Sequence, residues 1–387
     1  SSPLSVASWL KHTEKDDQRR LEMLRTSMVN SKLLDFGCGA AGFLRKAQSI
    51  VDEVAGIEPE RRVHEYWGDK IALFKTTSSR PTLVSSTPEL AEKVRALDVS
   101  GVYFSREFKR FYPAGAVSAH VVGFTDVDDI GQEGMERGYE QSLKGSEGKK
   151  RVIRDGRRRV INDKDVENIK DPVSGQDLVL SIDQRLQYLA FKELQAAFIE
   201  HKAFSASVVV LDAKNGEVLA TANQPAFNPN SRKGLKGSLY RNRAMLDVFE
   251  PGSTVKPFVV AAALDGGYVD DDIQIETHGY FRVGRNLVKD VHNYGTLDLM
   301  HVLKKSSNVA ISKIALKMPP EYFWGVYNQL GFGSSANVGF PGETSGTLLD
   351  FQRWHDFEQA TLSYGYGVST SVLQLARAYT ALADDGI

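Results

Sequence analysis

Three changes of hydrophobic rhythm divide the chain into four regions. Residues 1–75 alternate short apolar runs with helix-like stretches, in SKLLDF, LRKAQSIV and VDEVAGIEPE. Strands alternating with helical stretches predict the opening of an α/β unit. The segment KTTSSRPTLVSSTPEL is rich in Ser, Thr and Pro and breaks that rhythm, so a junction is expected at 76–87. From 88 to 175 the apolar residues are scattered among turn signals, FYPAG, VDDIGQEG and IRDGRRR, which predicts short strands and irregular structure. From 176 to 387 the periods become regular, and no internal repeat is visible.

Within that last region Leu186, Leu189, Leu194 and Phe198 recur at helical spacing after a capping-type start at Ser181 or Asp183. SASVVVLDAKNGEVLATANQP then reads as two β-rich runs joined at Asn215-Gly216. That pair is a strong hairpin signal, because both turn residues must tolerate positive φ. In VFEPGSTVKPFVVAAAL a Pro251-Gly252 turn precedes an apolar helical run. In LKKSSNVAISKIAL a short polar turn lies between two helical runs.

Composition narrows the class. Of 387 residues, 42% are hydrophobic and 25% charged, so a sizeable core is available and disorder is not the default. A formal net charge of −1 gives no global pull toward nucleic acid or an acidic membrane. The basic cluster GKKRVIRDGRRRVINDK has no interleaved aromatic residue for base stacking and adjoins acidic residues. It reads as a solvated hairpin turning at Asp155-Gly156, and no nucleic-acid partner is expected. The single cysteine, Cys38, excludes an intrachain disulfide and reads as a small packing residue. The apolar run Phe258–Leu264 is far short of the ~20 residues that span a bilayer. The opening residues show no basic start and apolar core, so neither a signal nor a transmembrane segment is expected in this chain. No metal site is expected.

The chemistry concentrates at Ser253. Ser253 and Lys256 stand three positions apart at a helix start, so they share one face and the hydroxyl can meet the amine. A serine hydroxyl is a poor nucleophile until a base takes its proton, and a lysine amine can serve if burial or a nearby cation holds its pKa down. The helix N-terminus also aims backbone N–H groups at a developing oxyanion. Alone, S-x-x-K is equally an N-cap serine with a surface lysine. The longer context EPGSTVKP and the later S-x-N turn, Ser306 and Asn308, favour the chemical reading. Ser306 is placed to relay a proton between Lys256 and a leaving amine, and Asn308 to hold a substrate amide or the lysine.

On these boxes, and on REFKRFYPAGAVSAHVVGFTDVDDIGQEGMERGYEQSLKG, GSLYRNRAMLDVFEPGSTVKPF, VLKKSSNVAISKIAL and ATLSYGYGVSTSVLQLARAYTALADDGI, residues 88–387 resemble the class B penicillin-binding proteins, division-specific FtsI-type peptidoglycan transpeptidases. The resemblance implies an α+β transpeptidase domain over 176–387. An irregular, β-rich pedestal over 88–175 would serve placement and partner contacts. It also implies a periplasmic enzyme of septum synthesis, at the face of the inner membrane, that acylates Ser253 with the D-Ala-D-Ala end of a peptidoglycan stem peptide. The acyl group then passes to an amine on a neighbouring stem. β-Lactams are expected to acylate the same serine, division-complex proteins are the expected partners, and no cofactor is implied. Residue by residue, Ser253 matches the nucleophile, Lys256 its base, and Ser306 and Asn308 the second box. Tyr364–Gly367 is expected near the cleft rim.

Three departures from the family pattern stand out. The family's N-terminal anchor and the start of its pedestal do not appear, and the third box, K-T-G or K-S-G, is not reached by Ile387. That box supplies a carboxylate contact and one wall of the cleft, and an oxyanion hole short of one donor can lose ~10²–10³ in rate. Impaired transpeptidation is therefore expected of the chain as it stands. The third departure is DFGCGAAG. Asp35, Gly37 and Gly39 follow an apolar strand, and the acidic Glu58 ends the next one, a pattern for a tight turn and a carboxylate facing ribose hydroxyls. This resembles the first motif of class I S-adenosylmethionine methyltransferases, which implies a Rossmann-like fragment over 1–75 and S-adenosylmethionine as a ligand of that fragment. A Gly-rich turn of an unrelated α/β unit is the plainer reading. Three functions thus stand open: an acyl-serine transpeptidase, a methyltransferase carrying the rest as passenger, and a non-catalytic divisome interaction module.

Overall fold

The structure, a computed structural model, describes residues 65–73, 82–86, 96, 102–126, 128–151, 167–231 and 237–384. The described chain divides into two units, one of residues 65–179 with 226–240 and the other of residues 180–225 with 241–384. Asp35, Gly37, Gly39, Cys38 and Glu58, and the turn at Asp155-Gly156, lie outside the described residues.

The first unit opens on a three-stranded antiparallel sheet of β1 (Glu65–Leu73), β2 (Thr82–Ser86) and β3 (Val102–Arg110) in the order β2-β1-β3. The register runs from Glu65 opposite Arg110 to Leu73 opposite Val102. β1 therefore carries the end of the segment expected as α/β, and its described pairing is antiparallel. Beyond it the unit is irregular, with the small pairs β4 (Phe124–Thr125) with β5 (Gly131–Glu133) and β6 (Lys149–Arg151) with β7 (Glu167–Lys170). One close approach fixes the β4–β5 corner. A Cβ on Gly123 would lie 1.8 Å from the Glu133 carbonyl oxygen, so only glycine fits.

Buried polar groups pin this unit together. The Tyr112 hydroxyl accepts from the Thr125 amide at 2.9 Å, and Asn230 exchanges two hydrogen bonds with the Tyr112 backbone at 2.9 and 2.8 Å. Arg110 pairs with Glu136 at two N···O distances of 3.0 Å, Nη2 donating to Oε2. Phe124, Phe227 and Tyr240 form a ring cluster with centroids 4.7–5.8 Å apart. Residues 226–240, far along the chain, therefore complete this unit, a long-range docking with no local sequence signal.

The second unit starts with α1 (Gln184–Glu200), capped by Asp183, whose carboxylate accepts from the Arg185 and Leu186 amides at 2.8 and 3.0 Å. Of the expected caps Asp183 serves, and the Ser181 hydroxyl donates instead to the Val218 carbonyl. The helix packs on the antiparallel hairpin β8 (Ala206–Leu211) and β9 (Val218–Gln224), turned with Gly216 at φ 74°. Leu186 is buried there, and Gln187 makes two hydrogen bonds to the Thr221 backbone.

A helical core follows. Helix α2 (Lys256–Asp265) buries Phe258, Val259, Val260, Ala262 and Ala263, so it is apolar nearly all round and must lie inside. It is enclosed by α3 (Leu299–Lys305), α4 (Asn308–Ala315), α5 (Pro320–Gln329) and α7 (Val372–Ala383), while α6 (Asp356–Leu362) packs on α4. Ile311, Ile314, Phe323, Tyr327 and Ala378 supply the facing surface. Burying each such large side chain contributes about 1.5–3 kcal/mol. The hairpin β10 (Tyr280–Val283) and β11 (Asn286–Lys289) packs Val283 and Val288 against Val309 of α4 and Ala360 of α6. Among the described residues no helix is long and apolar enough to cross a membrane.

Candidate active site

Pro251 and Gly252, the latter at φ 59°, turn the chain into a short 3₁₀ segment, Gly252–Val255, that runs directly into α2. In a 3₁₀ turn residues i and i+3 eclipse, which sets Lys256 behind Ser253 on one face. The Lys256 amide donates to the Ser253 carbonyl, closing that turn. The Ser253 side is solvent-exposed, whereas Lys256 is only 1% exposed. Ser253 and Lys256 thus sit at the boundary between solvent and core.

The Lys256 amine is gripped by the S-x-N turn. Its Nζ donates to the Ser306 carbonyl at 2.6 Å, to Ser306 Oγ at 2.9 Å and to Asn308 Oδ1 at 2.8 Å. All three partners are neutral. Burial therefore prevails, and the amine is pulled down from the ordinary lysine value to about 8, with Asp290 acting in the opposite sense. Ser253 and Lys256 are joined by the backbone turn and share one face, which is less than the side-chain meeting expected from the spacing. The amine's own hydrogen bonds go to Ser306 and Asn308.

Ser306 closes α3 in the left-handed region, at φ 54° and ψ 43°. A non-glycine residue there costs about 1–2 kcal/mol. The strained conformation is what turns both its carbonyl and its hydroxyl toward the amine. Ser307 then caps α4, accepting from the Ala310 amide at 2.9 Å, so the polar turn between two helices is a stop signal followed at once by a start signal.

The stretch Tyr364–Gly367 lies against the Pro251-Gly252 turn that precedes Ser253. The Gly252 amide donates to the Gly365 carbonyl at 3.2 Å, and the Gly367 amide donates to Glu250 Oε1 at 2.9 Å. A Cβ on Gly365 would fall 2.1 Å from the Gly252 carbonyl oxygen, and Gly365 has φ 81°. Phe249 and Thr370 exchange two backbone hydrogen bonds of 3.0 Å alongside. From α7, the Tyr379 hydroxyl donates to the Thr254 carbonyl at 2.6 Å. Sequence reasoning did not single out Glu250, Asp290 or Tyr379. Glu250 and Tyr379 fall within stretches that carry the family resemblance, but no local pattern marks either of them or Asp290 as a site residue. Among the described residues no group of three or more His, Cys, Asp or Glu side chains is placed to hold a metal.

Comparison with known proteins fits this arrangement. The penicillin binding protein transpeptidase domain matches residues 206–387, and the penicillin-binding protein dimerisation domain matches residues 41–180. The chain belongs to the class B penicillin-binding proteins. It is 46% identical over 300 residues to the probable peptidoglycan D,D-transpeptidase PenA of Neisseria gonorrhoeae, covering 78% of this chain and 52% of that protein. It is 44% identical over 300 residues to the peptidoglycan D,D-transpeptidase FtsI of Escherichia coli K12, covering 78% of this chain and 50% of that one. A crystal structure of penicillin binding protein 3 from Mycobacterium tuberculosis, complexed with aztreonam, superposes with a TM-score of 0.65 at 31% identity, over 73% of this chain and 59% of that one. The chain spans about half the length of the curated relatives it matches. The dimerisation match includes residues 41–75, which also carry part of the methyltransferase-like stretch, and the relatives do not favour a methyltransferase.

Proposed function

We propose that this protein is a serine-type peptidoglycan D,D-transpeptidase of septum synthesis. The observation that carries the reading is the buried Lys256 amine, held by neutral acceptors behind an exposed Ser253. In the proposed reaction Ser253 Oγ attacks the carbonyl carbon of the penultimate D-alanine of a stem peptide, and its proton passes to neutral Lys256. The C–N bond breaks, the departing D-alanine amine takes a proton relayed from Lys256 through Ser306, and the acyl group rests on Ser253. An amine of a second stem then attacks the ester carbonyl and gives its proton to Lys256, which returns it to Ser253 Oγ as the ester C–O bond breaks. Asn308 holds the lysine through Oδ1 during both steps.

β-Lactams meet the same nucleophile by ring opening, which leaves no amine to depart. Family resemblance supports placement at the periplasmic face of the inner membrane and contact with division proteins through the dimerisation region. The test is incubation of the protein with a fluorescent penicillin, followed by a denaturing gel and peptide mapping. Covalent label on Ser253, absent from Ser253→Ala, is the expected result. Undiminished label in Ser253→Ala, or no label on folded protein, overturns the reading.

A further inference from the structure

Among the described residues Asp290 is the carboxylate hydrogen-bonded to the S-x-N turn, and it reaches it from the end of the β10–β11 hairpin. Its Oδ2 accepts from the Ser307 hydroxyl at 2.6 Å, and its Oδ1 accepts from the Asn308 and Val309 amides at 2.6 and 3.0 Å. These are among the N–H groups that a helix start leaves without internal partners, and the helix dipole favours a negative charge there. Ser307 meanwhile accepts from Ala310, so Asp290, the Ser307 hydroxyl and the first turn of α4 form one continuous hydrogen-bonded unit. The hairpin side is equally anchored, by Val283 and Val288 in the core and by the Asp290 amide donating to the Gly279 carbonyl at 3.0 Å.

We propose that Asp290 is a positioning residue for the acyl-transfer reaction, which holds the first turn of α4 so that Ser306 and Asn308 present their oxygens to Lys256. The proposal rests on the transpeptidase reading of the site. Its physical core is the strain at Ser306. A residue kept left-handed relaxes unless its neighbours hold it, and relaxation swings the Ser306 carbonyl and hydroxyl off the amine together. The residues immediately following, Ser307, Asn308 and Val309, are the ones Asp290 grips.

Asp290 carries a second consequence. It makes no hydrogen bond to Lys256, yet its charge favours the ammonium form against the dominant effect of burial. The other charged groups on the surrounding elements are engaged elsewhere or face solvent. Lys313 of α4 donates to the Glu276 carbonyl, Lys304 and Lys305 are exposed at the end of α3, and Glu276 pairs with His278. Arg377 of α7 reaches the Ser335 carbonyl, and Lys289 and His292 beside Asp290 are exposed. Removing the Asp290 charge should therefore extend the neutral amine to lower pH.

The experiment measures the second-order rate of acylation by a fluorescent penicillin from pH 5.5 to 10 for wild type, Asp290→Asn and Asp290→Ala. In parallel, the Lys256 side chain is titrated by NMR with labelled lysine, assigned by Lys256→Arg. Asparagine keeps an acceptor for the α4 amides and loses the charge. The expected result is a high-pH plateau close to wild type, with the acidic limb and the Lys256 titration both moved down by about one pH unit. Alanine loses both functions, and its plateau should fall about ten- to a hundredfold as the turn loosens. A merely structural role would lower thermal stability in both variants and leave the limb in place. An unmoved limb and unmoved Lys256 titration in Asp290→Asn, or a wild-type plateau in Asp290→Ala, overturns the proposal. Should Asp290→Ala fail to fold, the Asp290→Asn pair of measurements decides. Should wild type take no label, the transpeptidase reading fails separately, and the NMR titration still decides whether Asp290 acts on Lys256.

Discussion

Each unit of the molecule buries a cation's partner or a cation, and the two solve the problem differently. In the first, Glu136 is 3% exposed and faces Arg110, so each charge has a full opposite charge at 3.0 Å. In the second, Lys256 is 1% exposed and faces two oxygens of Ser306 and one of Asn308, all neutral. The first arrangement matches a buried charge with an opposite one. The second leaves the amine with acceptors but no direct counter-ion, and burial pulls it down to about 8. Even with Arg110 beside it, burial pushes the Glu136 carboxyl up, but its charge is matched in place. A buried charge held by dipoles is poised to give up its proton.

The sharpest way to break this comparison is at the amine. Lys256→Ala should lower penicillin acylation about 10²–10⁴-fold, the usual contribution of a general base. Lys256→Arg should not restore it, because a guanidinium does not deprotonate. The same contrast predicts the pH dependence. The folded-state value lies below that of a free lysine, so the neutral, active base accumulates as pH rises through about 8. Acylation should climb about tenfold per unit below that point and flatten above it, as stopped-flow measurements at fixed ionic strength would reveal. A flat profile from pH 6 to 9 would contradict a lysine base.

On the other side of the comparison, Glu136→Ala strands Arg110 and should destabilise the first unit by about 3 kcal/mol, the lower end for breaking a buried pair because Arg110 keeps some solvent contact. Denaturant unfolding of that unit checks it, and the acylation rate of folded protein should be unchanged. Gly365→Ala is the next smaller effect. Its Cβ must push the Gly252 carbonyl aside, so acylation should fall about tenfold with little change in the first unit's stability. The smallest change is expected for Tyr379→Phe, which removes one hydrogen bond to the Thr254 carbonyl and is worth about 1 kcal/mol, or a few-fold in acylation rate.

The legibility of these features from sequence follows their range along the chain. Ser253 and Lys256 were readable because a three-residue spacing on a helical face is a local rule, and Ser306 and Asn308 because a polar turn between two apolar runs marks a stop and a start. The cap at Asp183 and the hairpin at Asn215-Gly216 are equally local, and both appear where the pattern places them. The docking of residues 226–240 with Tyr112 and Phe124 was not readable, since a hydrogen bond between Asn230 and Tyr112 spans 118 positions. Asp290 and Tyr379 escaped for the same reason. An aspartate after a hairpin and a tyrosine in an amphipathic helix look alike wherever they point.

What the sequence by itself determined is the chemistry available: a serine and a lysine on one face, a serine and an asparagine in one turn, and enough periodic apolar surface to place both in a core. Those properties are set by neighbours within a few residues, where backbone geometry leaves little choice. The tertiary structure alone decided what the lysine is. Only packing put its amine in the interior, turned Ser306 left-handed toward it, and brought the Asp290 carboxylate to the turn that holds it. Desolvation and charge act through space, and a basicity is decided by whatever the fold has brought near.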